Sequence, residues 1–180
     1  MKAMIVPGNN NTDVSEIWIP YVKKSLEALG ITVIAKNMPD AKLSRKQYWL
    51  PFIEAQVGDD PEVILIGHSS GAVAVLRYLE NHSILGAIII GAYDNDFGYE
   101  NEKKSGYFDS EWHWEQIKKH TKWIIQFAST SDPYIPISNA HKIRDKLQTT
   151  YYEYPDQGHF SDDVNKIEFP ELIDALKKKI

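Results

Sequence analysis

Residues 63–71, VILIGHSSG, constrain the fold of this chain more than any other stretch. A run of branched apolar residues leads directly into Gly67-His68-Ser69-Ser70-Gly71, and a helical pattern, AVAVLRYL, follows at once. Strand, tight turn and helix in that order are what a nucleophile elbow requires, with the serine standing clear of the sheet on a strained turn. The residues two before and two after that serine must be small for the chain to fold back on itself, and Gly67 and Gly71 meet the condition. The amide of Ser70 then opens a helix, where donors are unpaired and the helix dipole favours negative charge.

The remainder of the chain supplies a parallel sheet for that elbow. Residues 3–7, 31–35, 63–68, 84–91, 123–128 and 150–154 read as six short apolar strands. Between and after them, 18–29, 44–57, 111–120, 138–147 and 170–179 read as helices. Gly30 ends the first, Ser44 and Ser138 cap the second and fourth, and Pro51 is expected to kink the second. Strands alternating with helices predict a parallel sheet covered on both faces, in the order 2-1-3-4-5-6. The order reverses between strands 1 and 3, and ligands in such sheets bind at the carboxyl end of that switch point. Ser69 and the loop Gly8-Asn9-Asn10-Asn11-Thr12 are thereby brought together.

Composition narrows the class. A length of 180 residues predicts one domain, 1–180, with 93–115 as a small cap-like insertion. No apolar run reaches membrane-spanning length, and no basic cluster points to nucleic acid. The absence of cysteine excludes disulfides and thiolate metal sites and is compatible with the cytoplasm, the expected location. No histidine pair has metal-ligand spacing, so neither a metal nor a cofactor is expected.

A serine nucleophile needs a base, and the base an orienting acid. Elbow hydrolases carry the three in the order serine, acid, histidine. Of six histidines, His159 lies in a glycine-containing loop just past the sixth strand, at the correct sheet edge and in the correct order. His68 adjoins the serine and cannot bend back to its hydroxyl. Asp132, after the fifth strand, is the favoured acid, with Asp94, after the fourth, as second choice. The oxyanion hole is expected to pair the amide of Ser70 with that of Asn9 or Asn10.

These segments together resemble the retinoblastoma-binding protein 9 / YdeN-like family of small serine hydrolases. The likeness runs nearly end to end through Val6-Pro7-Gly8-Asn9, Ala35-Lys36-Asn37-Met38-Pro39-Asp40, Trp49-Leu50-Pro51-Phe52, Gly67-His68-Ser69-Ser70-Gly71-Ala72, Ser105-Gly106-Tyr107-Phe108, Asp132-Pro133 and Gly158-His159-Phe160. It implies a minimal three-layer α/β-hydrolase fold of about six parallel strands, and the family's serine, aspartate and histidine fall on Ser69, Asp132 and His159. The family has a more glycine-rich loop after the first strand. Binding to a retinoblastoma-type pocket protein is not carried over, because a chain without cysteine has no L-x-C-x-E motif.

The expected activity is hydrolysis of a small carboxylic ester or activated amide through an acyl-serine, by a monomer or weak dimer. His68, Trp112, Trp114 and Phe160 are expected around the substrate. The alternatives are a non-catalytic interaction module on the same fold, and a flavodoxin-like cofactor binder with the same sheet order, for which the first loop lacks a hydroxyl-rich phosphate pattern. Segment 93–115 holds seven acids against Lys103 and Lys104, a net −5 that equals the charge of the whole chain, together with seven aromatic residues. Arched over the nucleophile, it would favour a cationic substrate through its field and cation–π contact; the alternative is a solvated acidic face with the aromatics packed down on the sheet.

Overall fold

The structure, a computed structural model, describes residues 1–180. Its sheet has six strands: β1 (Lys2–Val6), β2 (Thr32–Ala35), β3 (Val63–His68), β4 (Gly86–Ile90), β5 (Ile124–Ser129) and β6 (Thr150–Tyr154). They run in the order β2-β1-β3-β4-β5-β6 and every pair is parallel, as expected. Seven helices accompany them: α1 (Ile19–Ala28), α2 (Lys46–Val57), α3 (Ser70–Leu79), α4 (Glu100–Ser105), α5 (Trp114–Lys119), α6 (Ile137–Leu147) and α7 (Pro170–Lys177).

Side chains alternate between the faces of a strand, and this alternation sorts the apolar residues into two cores. Met4, Val6, Val63, Leu65, Ala87 and Ile89 face one core, filled by α2, α3 and α6 through Trp49, Ile53, Leu76 and Ile143. Ala3, Ile5, Ile64, Ile66, Ile88 and Ile90 face the other, filled by α1 and α7 through Trp18, Val22, Leu26, Leu172 and Leu176. The result is three layers. All ten residues of α3 are buried, which fixes the helix that carries the elbow. Arg77, on that helix, donates to the carbonyls of Tyr107, Ser110 and Glu111, pairs with Glu80 and lies 3.7 Å over the Trp112 ring. It pins the chain around 107–112 to the side of α3.

Several expected details differ. Ser44 does not cap α2: it precedes the N-cap Arg45, is buried, and leaves its hydroxyl without a partner. The turn is held instead by Asp40, whose carboxylate accepts from the Arg45 amide at 3.1 Å and from its guanidinium at 2.8 Å. Pro51, where a kink was expected, lies inside α2. Ser138 lies within the first turn of α6, and the extended Pro136 occupies the cap position. α4, with the sequence ENEKKS, has no apolar period and gave no helical signal.

Candidate active site

Ser69 sits between β3 and α3 at φ 55°, ψ −122°. Left-handed backbone at a non-glycine residue costs about 1–3 kcal/mol and persists only where the surroundings over-determine it. Here the Ser69 amide donates to the Ile90 carbonyl at 2.9 Å, and its carbonyl accepts from Ala72 and Val73 at 2.9 and 3.1 Å. The flanking glycines serve close approach, since neither adopts positive φ. A Cβ on Gly67 would lie 2.5 Å from the Gly71 oxygen, and one on Gly71 would strike the carbonyls of Val6 and Pro7. Gly71 thus lets the end of β1 press against the start of α3.

Across the cleft, Asp132 Oδ2 lies 2.7 Å from His159 Nδ1. The other carboxylate oxygen accepts from the Tyr134 and Ile135 amides at 2.9 and 3.0 Å, so the carboxylate has a single orientation. A neutral imidazole that donates Nδ1–H to a carboxylate leaves Nε2 as a free base. The His159 backbone is held equally firmly. Its amide donates to Asp163 Oδ2 at 2.8 Å, and its carbonyl accepts from His68 Nε2 at 2.7 Å. The next carbonyl, of Phe160, accepts from Trp18 Nε1 at 2.9 Å. Ser129 and Ser131 hydroxyls accept from the Gln157 and Gly158 amides, tying the acid loop to the histidine loop. Gly91 gives the imidazole room: a Cβ there would lie 3.0 Å from His159 Cε1. Burial, with the neighbouring His159 charge second, pushes His68 down to about 3, so His68 is a neutral donor and its Nδ1 stays unpartnered.

Ser69 and His159 line one cleft of about 960 Å³. The Ser69 hydroxyl makes no hydrogen bond, so the serine–histidine link is not formed in this arrangement; such bonds often tighten only when substrate binds. Asp94 is directed elsewhere. Its carboxylate meets Asn139 Nδ2 and Lys142 Nζ, each at 2.6 Å, on α6.

Two loops offer amides beside Ser69. Ser70 opens α3, and its amide has no partner one turn earlier within the helix. In the loop after β1, the Asn10 amide is already committed to the Lys42 carbonyl at 3.3 Å, which removes it as an oxyanion donor. The Asn9 amide has no acceptor and is left as the second candidate. The Asn9 side chain donates to Glu102 Oε1 at 2.8 Å.

The expected surroundings of the substrate divide. His68 reaches the cleft wall, although only 4% of it is exposed. Trp112, Trp114 and Phe160 do not line the cleft. Trp112 is drawn to α3 by Arg77 and donates Nε1–H to the Asp94 carbonyl, and Trp114 stacks on it at 5.1 Å. Phe160 is fully buried in the core between the sheet and α1/α7. Segment 93–115 divides likewise: Tyr93, Phe97, Tyr99 and Glu102 face the cleft, whereas 107–112 packs on α3. Tyr134 and Asp163 belong to no spaced motif and carry no signal in the sequence, whereas Tyr93 and Glu102 belong to the acidic, aromatic segment 93–115. The cleft wall carries Glu16, Glu100, Glu102 and Asp162 against Lys166, whose ammonium is engaged by Gln157 at 2.7 Å. No group of three or more His, Asp or Glu side chains is arranged to hold a metal ion. No helix is long and apolar enough to cross a membrane.

The family described as Serine hydrolase matches residues 3–178. The serine hydrolase RBBP9 of Rattus norvegicus is 44% identical over 181 residues, covering 99% of this chain and 95% of its own. YdeN of Bacillus subtilis is 27% identical over 167 residues, 88% of this chain and 86% of its own. In three dimensions, the ydeN gene product of B. subtilis superposes with a TM-score of 0.89 at 23% identity, covering 99% of this chain and 97% of that one. Est1E of Butyrivibrio proteoclasticus, solved with ferulic acid bound, reaches 0.78 at 14% identity, covering 99% and 88%. These structural neighbours are α/β hydrolases. With a family match that spans nearly every residue and a relative this similar over its whole length, the chain belongs to the serine hydrolase family and has the α/β-hydrolase fold.

Proposed function

We propose that this enzyme cleaves a small carboxylic ester or activated amide through an acyl-Ser69 intermediate. One observation carries the reading: a serine on a strained elbow shares a cleft with a histidine whose other nitrogen is held by a buried aspartate at 2.7 Å. In this scheme His159 Nε2 takes the Ser69 proton as Oγ adds to the substrate carbonyl. The tetrahedral oxyanion is met by the amides of Ser70 and Asn9. The intermediate expels the alcohol or amine, which leaves with the proton from His159. Water, deprotonated by His159, then attacks the acyl-serine, and the carboxylic acid and free Ser69 result. Asp132 stays ionised throughout and holds the productive tautomer.

Hydrolysis of a p-nitrophenyl ester series by wild type and Ser69→Ala tests this reading. The expected loss in kcat is about 10⁴-fold or more, in line with other triads. Retention of more than a tenth of the activity ends it and leaves the interaction-module alternative.

The acidic wall supports a finer reading, that the substrate carries a cationic amine. Glu16, Glu100, Glu102 and Asp162 surround the cleft with one partly engaged lysine between them. Esters with a free amine should then show higher kcat/KM than N-acylated ones, by a margin that shrinks with salt. A preference for the N-acylated or anionic ester at low ionic strength excludes it.

A further inference from the structure

The two candidate oxyanion residues, Asn9 and Ser70, are joined side chain to side chain by a chain of hydrogen bonds that catalysis as described above does not use. Asn9 Nδ2 donates to Glu102 Oε1 at 2.8 Å. Tyr93 OH donates to Glu102 Oε2 at 2.8 Å. Because that hydroxyl proton is committed, the Ser70 Oγ contact at 2.9 Å is Ser70 donating to Tyr93. Three of the four residues are buried: Ser70 0%, Tyr93 3% and Glu102 8% exposed.

We infer that Glu102 and Tyr93 are positioning residues that set the spacing of the oxyanion hole. The inference rests on the proposed acyl-serine chemistry. The Ser70 amide moves with the top of α3, and the Asn9 amide with the loop after β1. The Asn10 and Asn11 amides anchor that loop on its far side, to Lys42 and Ala41. On its near side, the Asn9 side chain is held by Glu102. One carboxylate, with an oxygen for each arm, fixes the distance between the two donors. It does so from α4, in the segment between β4 and β5. Burial raises both pKa values; at Glu102 the hydrogen bonds from Tyr93 and Asn9 oppose it, whereas at Tyr93 the bond to Glu102 adds to it. A buried carboxylate kept beside a site where negative charge develops works against the oxyanion unless its hydrogen bonds serve another purpose. The geometry supplies that purpose: no neutral side chain of similar size accepts two donors on two separate oxygens. Gln in its place accepts on one and turns an NH₂ group toward the other donor.

The test compares wild type with Glu102→Gln and Tyr93→Phe, using matched neutral and amine-bearing p-nitrophenyl esters and a trifluoromethyl ketone that forms a tetrahedral adduct with Ser69. An oxyanion donor is worth about 10²–10³-fold in kcat, and displacement by about 1 Å costs up to 10²-fold, so each variant should lose about 10–100-fold in kcat with KM within about threefold. Tyr93→Phe, which keeps the Glu102 carboxylate, should lose equally toward neutral and amine-bearing esters, and Glu102→Gln should lose toward the neutral ester as well. The ketone's inhibition constant should rise in step with the loss in kcat/KM, whereas binding of the carboxylate product should not change. The double variant should be little worse than either single one, because both break one chain. Wild-type kcat in Glu102→Gln, or a faster enzyme, overturns the inference. So does a loss confined to amine-bearing esters, which would make Glu102 a substrate ligand. A parallel loss of ketone and product binding with a lowered Tm would make the chain merely structural. Should wild type itself show no Ser69-dependent turnover, the acyl-serine reading fails first, and the two failures are told apart by the Ser69→Ala control.

Discussion

Exchanging the two aspartates at the carboxyl edge of the sheet, one at a time, separates their roles. Asp132→Asn keeps an oxygen for the Tyr134 and Ile135 amides, at 2.9 and 3.0 Å in the native protein, so the loop should hold its shape. The substituted NH₂ then faces His159 Nδ1, which must become an acceptor. The imidazole proton moves to Nε2 and points toward Ser69, where a base is needed. Analogous wrong-tautomer losses are about 10⁴ in kcat, equivalent to about 5.5 kcal/mol of transition-state stabilisation. Asp94→Asn breaks the pairing to Lys142, itself half-exposed, and perturbs Asn139. It should cost stability on the order of 1–2 kcal/mol, with kcat within about threefold of wild type. Initial rates on a p-nitrophenyl ester and urea denaturation of both variants check the pair. Equal mild effects on kcat, or a larger loss from Asp94→Asn, would refute the assignment of Asp132 as the acid.

Two further outcomes follow from the packing. His68 titrates near 6.5 when unfolded and at about 3 when folded, so the unfolded chain binds the extra proton as pH falls through that window. Stability should therefore fall by about 1.4 kcal/mol per pH unit below 6.5 on account of this group, with no contribution above it; urea denaturation between pH 4 and 6 should show a shallower slope for His68→Gln, and equal slopes would count against a neutral buried His68. Gly71→Ala places a Cβ against the Val6 and Pro7 carbonyls and should cost about 3 kcal/mol or more, whereas Gly30→Ala, at φ 78° in open space, should cost about 1–2; denaturation midpoints in the reverse order would show that close approach is not what Gly71 provides.

Much of this architecture is legible in the sequence because its signals are periodic or sterically unique. Runs such as VILIG report buried parallel strands, and the alternation of strand and helix fixes the sheet order. What escaped was set by particular side chains acting at a distance. Nothing in ENEKKS marks a helix whose buried Glu102 joins Asn9 to Tyr93. Trp112 and Trp114 were expected at the substrate, but a single buried arginine draws Trp112 to α3 and out of the cleft. Phe160 follows His159 directly, yet its ring turns into the core while its carbonyl is held by Trp18. Ser44 and Ser138 looked like caps by residue type, and the turns were instead set by Asp40 and Pro136. The choice between Asn9 and Asn10 depended on a carbonyl more than thirty residues away, at Lys42.

The account's central claim is that Ser69 is a nucleophile activated by His159. Its most direct test is the reaction of the purified enzyme with a fluorophosphonate, with the modified residue located by tandem mass spectrometry. The account predicts one adduct, on Ser69, absent from Ser69→Ala and slowed at least about 10³-fold in His159→Ala. Labelling of Ser69→Ala to the same extent as wild type, or labelling of Ser69 at an unchanged rate without His159, would contradict it.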